Sequence, residues 1–320
     1  MYNILVIGSG GREHCIIKNI YRTYKGNSND INVYCFGSHL NPGIKNICKM
    51  LIVGNNFNIL ESYLSMKGKL WDIKFDFAII GPEAYINEGY ADFLESRGIF
   101  TISPTKKYGK IEASKIFARN FIQDFGLNEY QPDFRFFVKG GGEKIEKEAY
   151  QYAYGDLKGN FVLKNNELAG GKGVKLSGEH IKSEEEFIND IRNLKNSGYV
   201  IEEKLEGEEF SLLSFCDGKN LLHMPCVKDF KKAYEGDFGP NTGGMGTISY
   251  ANGMMPFLND EDIKISKYLN ESIVEKLKYG FENDVGKRPG EKERGYIGIL
   301  YGSYMKTKDG SIKIIEYNCR

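Results

Sequence analysis

Two lysines and a run of glycines carry the most specific chemical suggestion in the chain. Lys164 closes an apolar run, Phe161-Val162-Leu163-Lys164. Lys172 stands in Leu168-Ala169-Gly170-Gly171-Lys172-Gly173, and the chain then re-enters Val174-Lys175-Leu176. A Walker loop needs Ser or Thr after its lysine and a helix beyond it. Here Gly173 and an apolar-alternating run follow, so the pattern reads as strand, glycine flap, strand. Two ammonium groups converging on a polyphosphate would neutralise its charge, and a backbone lid would exclude water. The competing reading is a surface hairpin with solvated lysines.

A second constellation ends the chain: Ile312-Lys313-Ile314-Ile315-Glu316-Tyr317-Asn318-Cys319-Arg320. Residues two apart in a strand share a face, so Glu316 and Asn318 point the same way. A carboxylate and an amide oxygen are hard ligands suited to Mg²⁺, which takes its remaining ligands from phosphates and water. Arg320, again on that face, would hold a phosphoryl oxygen or a developing acyl phosphate. A polar strand end is the alternative.

Three further stretches bear on binding. Gly8-Ser9-Gly10-Gly11-Arg12-Glu13-His14 follows a strand and opens a helix, where free backbone N–H groups suit a phosphate or ribose phosphate. An NAD fingerprint would need glycine where Glu13 stands. Tyr199-Val200-Ile201-Glu202-Glu203-Lys204-Leu205, followed by Gly207-Glu208-Glu209, reads either as a hinge or as a solvated edge. As a hinge it would carry adenine on backbone groups and ribose on a carboxylate. Asp237-Phe238-Gly239-Pro240-Asn241-Thr242-Gly243-Gly244-Met245-Gly246 reads as a long loop built for close approach of backbone to a ligand, with Asp229, Lys231 and Lys232 adding charge just upstream.

These residues need a scaffold, and 320 residues suffice for two or three compact units. Strands are expected at 4–7, 31–36, 75–80 and 100–102, with helices at 12–24 and 88–97. That alternation predicts a Rossmann-like parallel α/β domain over residues 1–103. Ser103-Pro104 is the expected seam, because a residue before proline is pushed out of helix. Residues 105–125 read as helical. Beyond them, strands at 161–164, 174–176, 198–202 and 210–216, interrupted by a helix at 183–194, predict an α+β domain over residues 104–320 with a lid subdomain at about 121–205. A helix at 259–281, a solvated loop at 283–294 and a strand pair at 298–305 and 312–318 complete it.

Lys+Arg and Asp+Glu balance at 43 each, so no global field draws the protein to nucleic acid or an anionic membrane. Six cysteines stand singly with no CxxC pair, which predicts reduced thiols. There is no leader and no run of about 18 apolar residues, so a cytoplasmic protein is expected.

The stretches GSGGREH, GPEA, SKIFARNF, LKNNELAGGKGV, IEEKLEGEEFS, GPNTGGMG and IEYNCR occur in this order from near the start to Arg320. In that order the chain resembles the phosphoribosylamine–glycine ligase family of purine biosynthesis, ligases of the ATP-grasp type. GPNTGGMG together with GSGGREH is the most specific part. The resemblance implies ATP, Mg²⁺ or Mn²⁺, glycine and 5-phosphoribosylamine. It implies that Lys115, Lys164 and Lys172 contact the ATP phosphates beneath Gly170, Gly171 and Gly173. Glu202 and the backbone after it, through Glu203 and Leu205, would hold adenine, and Glu209 the ribose. Glu316 and Asn318 would bind the metal, with Arg320 and Lys172 nearest the chemistry. Gly8, Gly10, Gly11, Arg12, Glu13, Gly81, Pro82, Glu83, Asp229, Lys231, Asn241, Thr242, Gly243, Gly244, Met245 and Gly246 would surround the two remaining substrates. A monomer or small homo-oligomer is expected.

The chain departs from the family in three places. Asn165-Asn166-Glu167 stands where Ala-Asp-Gly is usual. Asp229-Phe230-Lys231 replaces Asp-His-Lys. The sequence also stops at Arg320, where the family continues into a C-terminal domain. Another ATP-grasp carboxylate–amine ligase, or a catalytically incomplete ATP-binding fragment or subunit, are the alternatives.

Overall fold

The computed structural model describes residues 1–27, 30–138, 142–168, 173–194, 198–279 and 294–320. The chain divides into two compact units. One comprises Met1–Gly109 with Tyr296–Ile299 and Cys319–Arg320, and the other Lys110–Gly295 with Leu300–Asn318.

The first unit is a five-stranded parallel sheet. Its strands are β1 (Tyr2–Ile7), β2 (Ile31–Gly37), β3 (Met50–Val53), β4 (Phe77–Ile80) and β5 (Thr101–Ile102), in the order β3-β2-β1-β4-β5. Both faces of β1 are buried from Ile4 to Ile7, which is why that run is continuously apolar rather than alternating. Leu5 and Ile7 join one core with Phe36 and Tyr90, while Ile4 and Val6 join another with Ile17 and Val33. Helices α1 (Gly11–Thr23), α2 (Pro42–Ile47), α3 (Phe57–Ser65), α4 (Glu83–Glu88) and α5 (Tyr90–Ser96) complete the layers. Of these, β3, α2, α3 and α4 are not among the elements expected from the sequence. The helix expected at 88–97 is α5, and α4 precedes it where no helix was expected: Gly89, at φ +92°, takes the left-handed conformation that ends α4 and starts α5.

The helix expected at 105–125 is two, α6 (Lys106–Ala113) and α7 (Lys115–Asp124). Ser114 leaves the helical conformation to cap α7, its Oγ accepting from Phe117 N at 3.1 Å. The second unit then builds a four-stranded sheet from β6 (Phe134–Phe137), β7 (Phe161–Asn165), β8 (Val174–Leu176) and β9 (Tyr199–Glu203), ordered β6-β9-β7-β8, with α8 (Gly142–Tyr150) and α9 (Glu184–Asn193). Phe161, Leu163, Tyr199 and Ile201 pack with Phe187 and Ile191 of α9. Period-two alternation therefore turns Lys164 and Glu202 to the opposite face. That alternation positions the charged site.

A further sheet, β11-β10-β14-β15, contains β10 (Gly207–Asp217), β11 (Leu221–His223), β14 (Ile297–Thr307) and β15 (Ile312–Cys319), beside α10 (Asp260–Tyr279). The last residues of the helix expected at 259–281, and residues 283–293 of the expected loop, lie outside the described residues. The stretch 237–246, expected as a loop, is instead largely strand. Residues Phe238–Ile248 form β13 and pair antiparallel with β12 (Lys228–Tyr234). Extended pairing uses backbone groups alone, and two register shifts absorb the irregular geometry of Gly239 and Gly244, both at positive φ. Residues 238–240 and 242–248 are exposed, as a segment unsuited to a core must be.

A buried polar network ties α10 to three strands. Asn270 Nδ2 donates to Leu212 O at 3.0 Å and to Ser214 Oγ at 2.8 Å, and its Oδ1 accepts from Tyr304 OH at 2.6 Å. Tyr304 OH lies 3.3 Å from Tyr317 OH on β15. Asn270→Ala should cost roughly 3 kcal/mol in urea unfolding, since it strands several buried polar atoms, and a loss below about 1 kcal/mol would show that the network contributes little.

Candidate active site

Five side chains on α7, β7, β9 and β15 form one charged cluster in the second unit. Glu202 of β9 is almost fully buried and accepts a two-pronged pair from Arg119 of α7, Nε to Oε1 at 2.7 Å and Nη2 to Oε2 at 2.8 Å. The same Oε2 lies 2.7 Å from Lys164 Nζ. A buried carboxylate is costly unless paired and hydrogen-bonded, and here both oxygens are taken. Burial alone would raise the Glu202 pKa, but Arg119 and Lys164 outweigh it and hold the group at about 2. For Lys164 burial is also the largest influence. It pulls the ammonium below its ordinary value, against the opposing pull of Glu202.

Glu316 of β15 stands on the other side of the cluster, with Lys115 Nζ at 3.4 Å from its Oε2 and Asn318 Nδ2 at 3.3 Å from its Oε1. Burial pushes this carboxyl up as well, yet Lys115, Lys164, Lys231 and the Asn318 amide hold it at about 2. Its side chain nevertheless keeps 29% of its surface open. An ionised, partly open carboxylate with an amide side chain beside it fits the hard-oxygen requirement of Mg²⁺ or Mn²⁺. Among the described residues no group of three or more His, Cys, Asp or Glu gathers to hold a metal by itself. A cation here would therefore draw further ligands from phosphate and water.

The start of α7 explains one departure in the sequence. Asn166 Oδ1 accepts from Ser114 Oγ and from Ile116 N, each at 2.9 Å. The amide oxygen does here what a carboxylate oxygen would do at a helix N-terminus, and it fixes the turn that carries Lys115. Gly173 O accepts from Asn165 N at 2.8 Å, whereas Ala169, Gly170, Gly171 and Lys172 lie outside the described residues.

Glu203 is exposed at the end of β9, and Leu205 sits in the link to β10. Glu209 is 3.8 Å from Lys231 Nζ. Asp229 accepts from Tyr301 OH at 2.7 Å, Tyr301 in turn accepting from Ser211 Oγ at 2.7 Å. Thr242 Oγ1 donates to Lys231 O at 2.9 Å and accepts from Gly244 N at 3.1 Å. Met245 is exposed. Asn241 lies opposite Lys232 in the ribbon. A Cβ at Gly243 or Gly246 would meet nothing within 4 Å, so packing within the chain does not require glycine there.

In the first unit the glycine turn is built around Glu13. Its carboxylate is buried and accepts from Gly10 N at 2.7 Å, closing the start of α1. A Cβ on Gly81 would lie 2.0 Å from Glu13 Oε1. One on Gly8, at φ +114°, would lie 2.7 Å from Pro82 Cδ. Those two glycines make room for the carboxylate and the proline, while Gly11 and Arg12 remain exposed. Arg12 Nη1 donates to Gly81 O at 2.9 Å, and Glu83 pairs with Arg12 at 4.0 Å and with Arg320 at 3.3 Å.

Arg119 is the member of the cluster that sequence reasoning missed. It sits one helical turn after Lys115 in SKIFARNF, so both residues lie on one face of α7. That spacing was the available signal.

A parallel α/β unit followed by a unit in which lysines of α7 and β7 face carboxylates of β9 and β15 fits the class of ATP-grasp ligases. The N domain model of phosphoribosylglycinamide synthetase matches residues 2–112, and the ATP-grasp (A) domain model of the same synthetase matches residues 113–320. The phosphoribosylamine–glycine ligase of Methanosarcina barkeri is 35% identical over 320 residues, covering 99% of this chain and 67% of the relative. That of Methanocaldococcus jannaschii is 35% identical over 322 residues, with the same coverage. The solved phosphoribosylamine–glycine ligase of Thermotoga maritima aligns with a TM-score of 0.67 at 26% identity, over 99% of this chain and 68% of that one. D-Alanine–D-alanine ligase of Bacillus anthracis, at 17% identity and a TM-score of 0.64, shares the fold. The chain belongs to the phosphoribosylamine–glycine ligase family, and it spans about two thirds of the length of the relatives it matches. No helix among the described residues is long and apolar enough to cross a membrane.

Glu202 is held at about 2, below the ordinary 4.5, so the stability it contributes is present above about pH 4.5 and is lost as pH falls from there towards 2. Urea midpoints should decline through that window, and less steeply in Glu202→Gln. Equal slopes in the two proteins would contradict the pairing.

Proposed function

We propose that the protein joins glycine to 5-phosphoribosylamine at the expense of ATP, giving glycinamide ribonucleotide, ADP and phosphate. The observation that carries this reading is the cluster of Lys115, Lys164, Glu316 and Asn318, an arrangement of ammonium groups and hard oxygens suited to a metal-bound polyphosphate. Family membership supports the choice of the two other substrates.

In this reading Lys115 and Lys164 neutralise the phosphates, and Glu316 and Asn318 hold Mg²⁺ or Mn²⁺. When bound, the cation supplies charge neutralisation and orientation of the phosphate oxygens. Glu203, Leu205 and the backbone around Glu202 receive adenine, and Glu209 the ribose. The turn at Gly10, Gly11 and Arg12, with Gly8, Glu13, Gly81, Pro82 and Glu83 shaping it, takes the phosphoribosylamine. The Asn241–Gly246 stretch, with Asp229 and Lys231 beside it, serves glycine. Its glycines leave open space that a substrate can use.

A glycine carboxylate oxygen attacks the γ-phosphorus, and the bond to the β-phosphate oxygen breaks, releasing ADP and leaving glycyl phosphate. The sugar amine then attacks the acyl carbon, loses a proton and expels inorganic phosphate. In this reading Arg320 steadies the acyl phosphate. The side chains position reactants and balance charge, and none is required as a covalent nucleophile. In this reading the protein works in the cytoplasm.

Supplied with Mg-ATP, glycine and freshly prepared 5-phosphoribosylamine, the protein should release ADP in step with glycinamide ribonucleotide, and only when both co-substrates are present. ADP release with a different carboxylate in place of glycine would favour another ligase of the class. Nucleotide binding with no ADP release under any condition would favour a catalytically incomplete form.

A further inference from the structure

Lys164 presents a difficulty to the reading above. An ammonium 2.7 Å from a buried carboxylate forms a neutral pair, and a neutral pair has little attraction for phosphate. Arg119 resolves it. Its guanidinium grips both oxygens of Glu202, and its remaining N–H groups donate to Ile314 O at 3.1 Å and Ile315 O at 2.8 Å, the two carbonyls just before Glu316. Lys164 Nζ also reaches Ile315 O, at 3.4 Å. Arg119, Glu202 and Lys164 together carry one net positive charge, in a place where protein rather than water surrounds them.

We propose that Arg119 is a positioning residue that offsets the charge of Glu202, so that the Arg119–Glu202–Lys164 group meets the nucleotide phosphates with one net positive charge. It also anchors the β15 backbone immediately before Glu316. This rests on the assignment of Lys164 to the phosphates. The planar fork matters for the anchoring, whereas the net charge matters for the phosphate, and the two roles can be separated by substitution.

Three variants make that separation: Arg119→Met, which leaves a neutral Lys164–Glu202 pair; Arg119→Lys, which restores the charge without the fork; and Arg119→Met/Glu202→Gln, which restores one net positive charge by removing the carboxylate. The readout is the Kd for Mg-ADP by calorimetry, with thermal melts alongside. Arg119→Met should weaken Mg-ADP by about 10- to 100-fold, and the other two should return it to within about threefold of wild type. If the double variant folds yet binds as weakly as Arg119→Met, or if Arg119→Lys binds as weakly as a variant lacking the charge, the charge-offset role is overturned. Should Arg119→Met fail to fold, Arg119→Lys alone decides: wild-type affinity supports the role and weak affinity refutes it. A wild-type protein that binds no Mg-ADP would instead overturn the nucleotide reading itself.

Discussion

The cost of holding a carboxylate away from water governs the architecture of the second unit. Glu202 is ionised and nearly inaccessible, so two cations must stay against it, and they come from α7 and β7 while Glu202 itself sits on β9. Arg119 then draws in a fourth element through the carbonyls of β15. A helix and three strands distant in sequence are thereby held at one point, and the side chains suited to phosphate and metal lie around it.

The same logic appears at smaller scale in the first unit. Glu13 folds back on the start of α1, and Gly8 and Gly81 are glycine because its side chain and Pro82 occupy the space a Cβ would need. What is left open to a ligand is the exposed rim at Gly11 and Arg12. Glycines of a motif thus divide into those the fold requires and those it does not, and Gly243 and Gly246 belong to the second kind. That distinction comes from packing, and a sequence motif does not express it.

Much of the scaffold was legible in the sequence. Continuous apolar runs marked β1, β2 and β4, and alternation marked β7, β9 and β15 closely enough to place Lys164, Glu202, Glu316 and Asn318 on their strands. The short elements β3, α2 and β6 were not legible, because so few residues hold no period and their stability comes from neighbours. The break at Ser114 was misread as continuous helix, since propensity on either side concealed a cap. The ribbon strand at 238–248 was misread as loop because its glycines and proline speak against strand, while backbone pairing holds it extended. The pairing of Arg119 with Glu202 joins residues far apart in the chain, and no local pattern announces it.

The central claim is that one cluster in the second unit receives the metal and the nucleotide phosphates. A crystal structure with Mn²⁺ and ADP, read by the anomalous signal of the metal, tests it most directly. The account predicts manganese within about 2.2 Å of a Glu316 carboxylate oxygen and the Asn318 amide oxygen, with Lys115 and Lys164 against the phosphates. Manganese and phosphates bound away from Glu316 and Lys164 would contradict it.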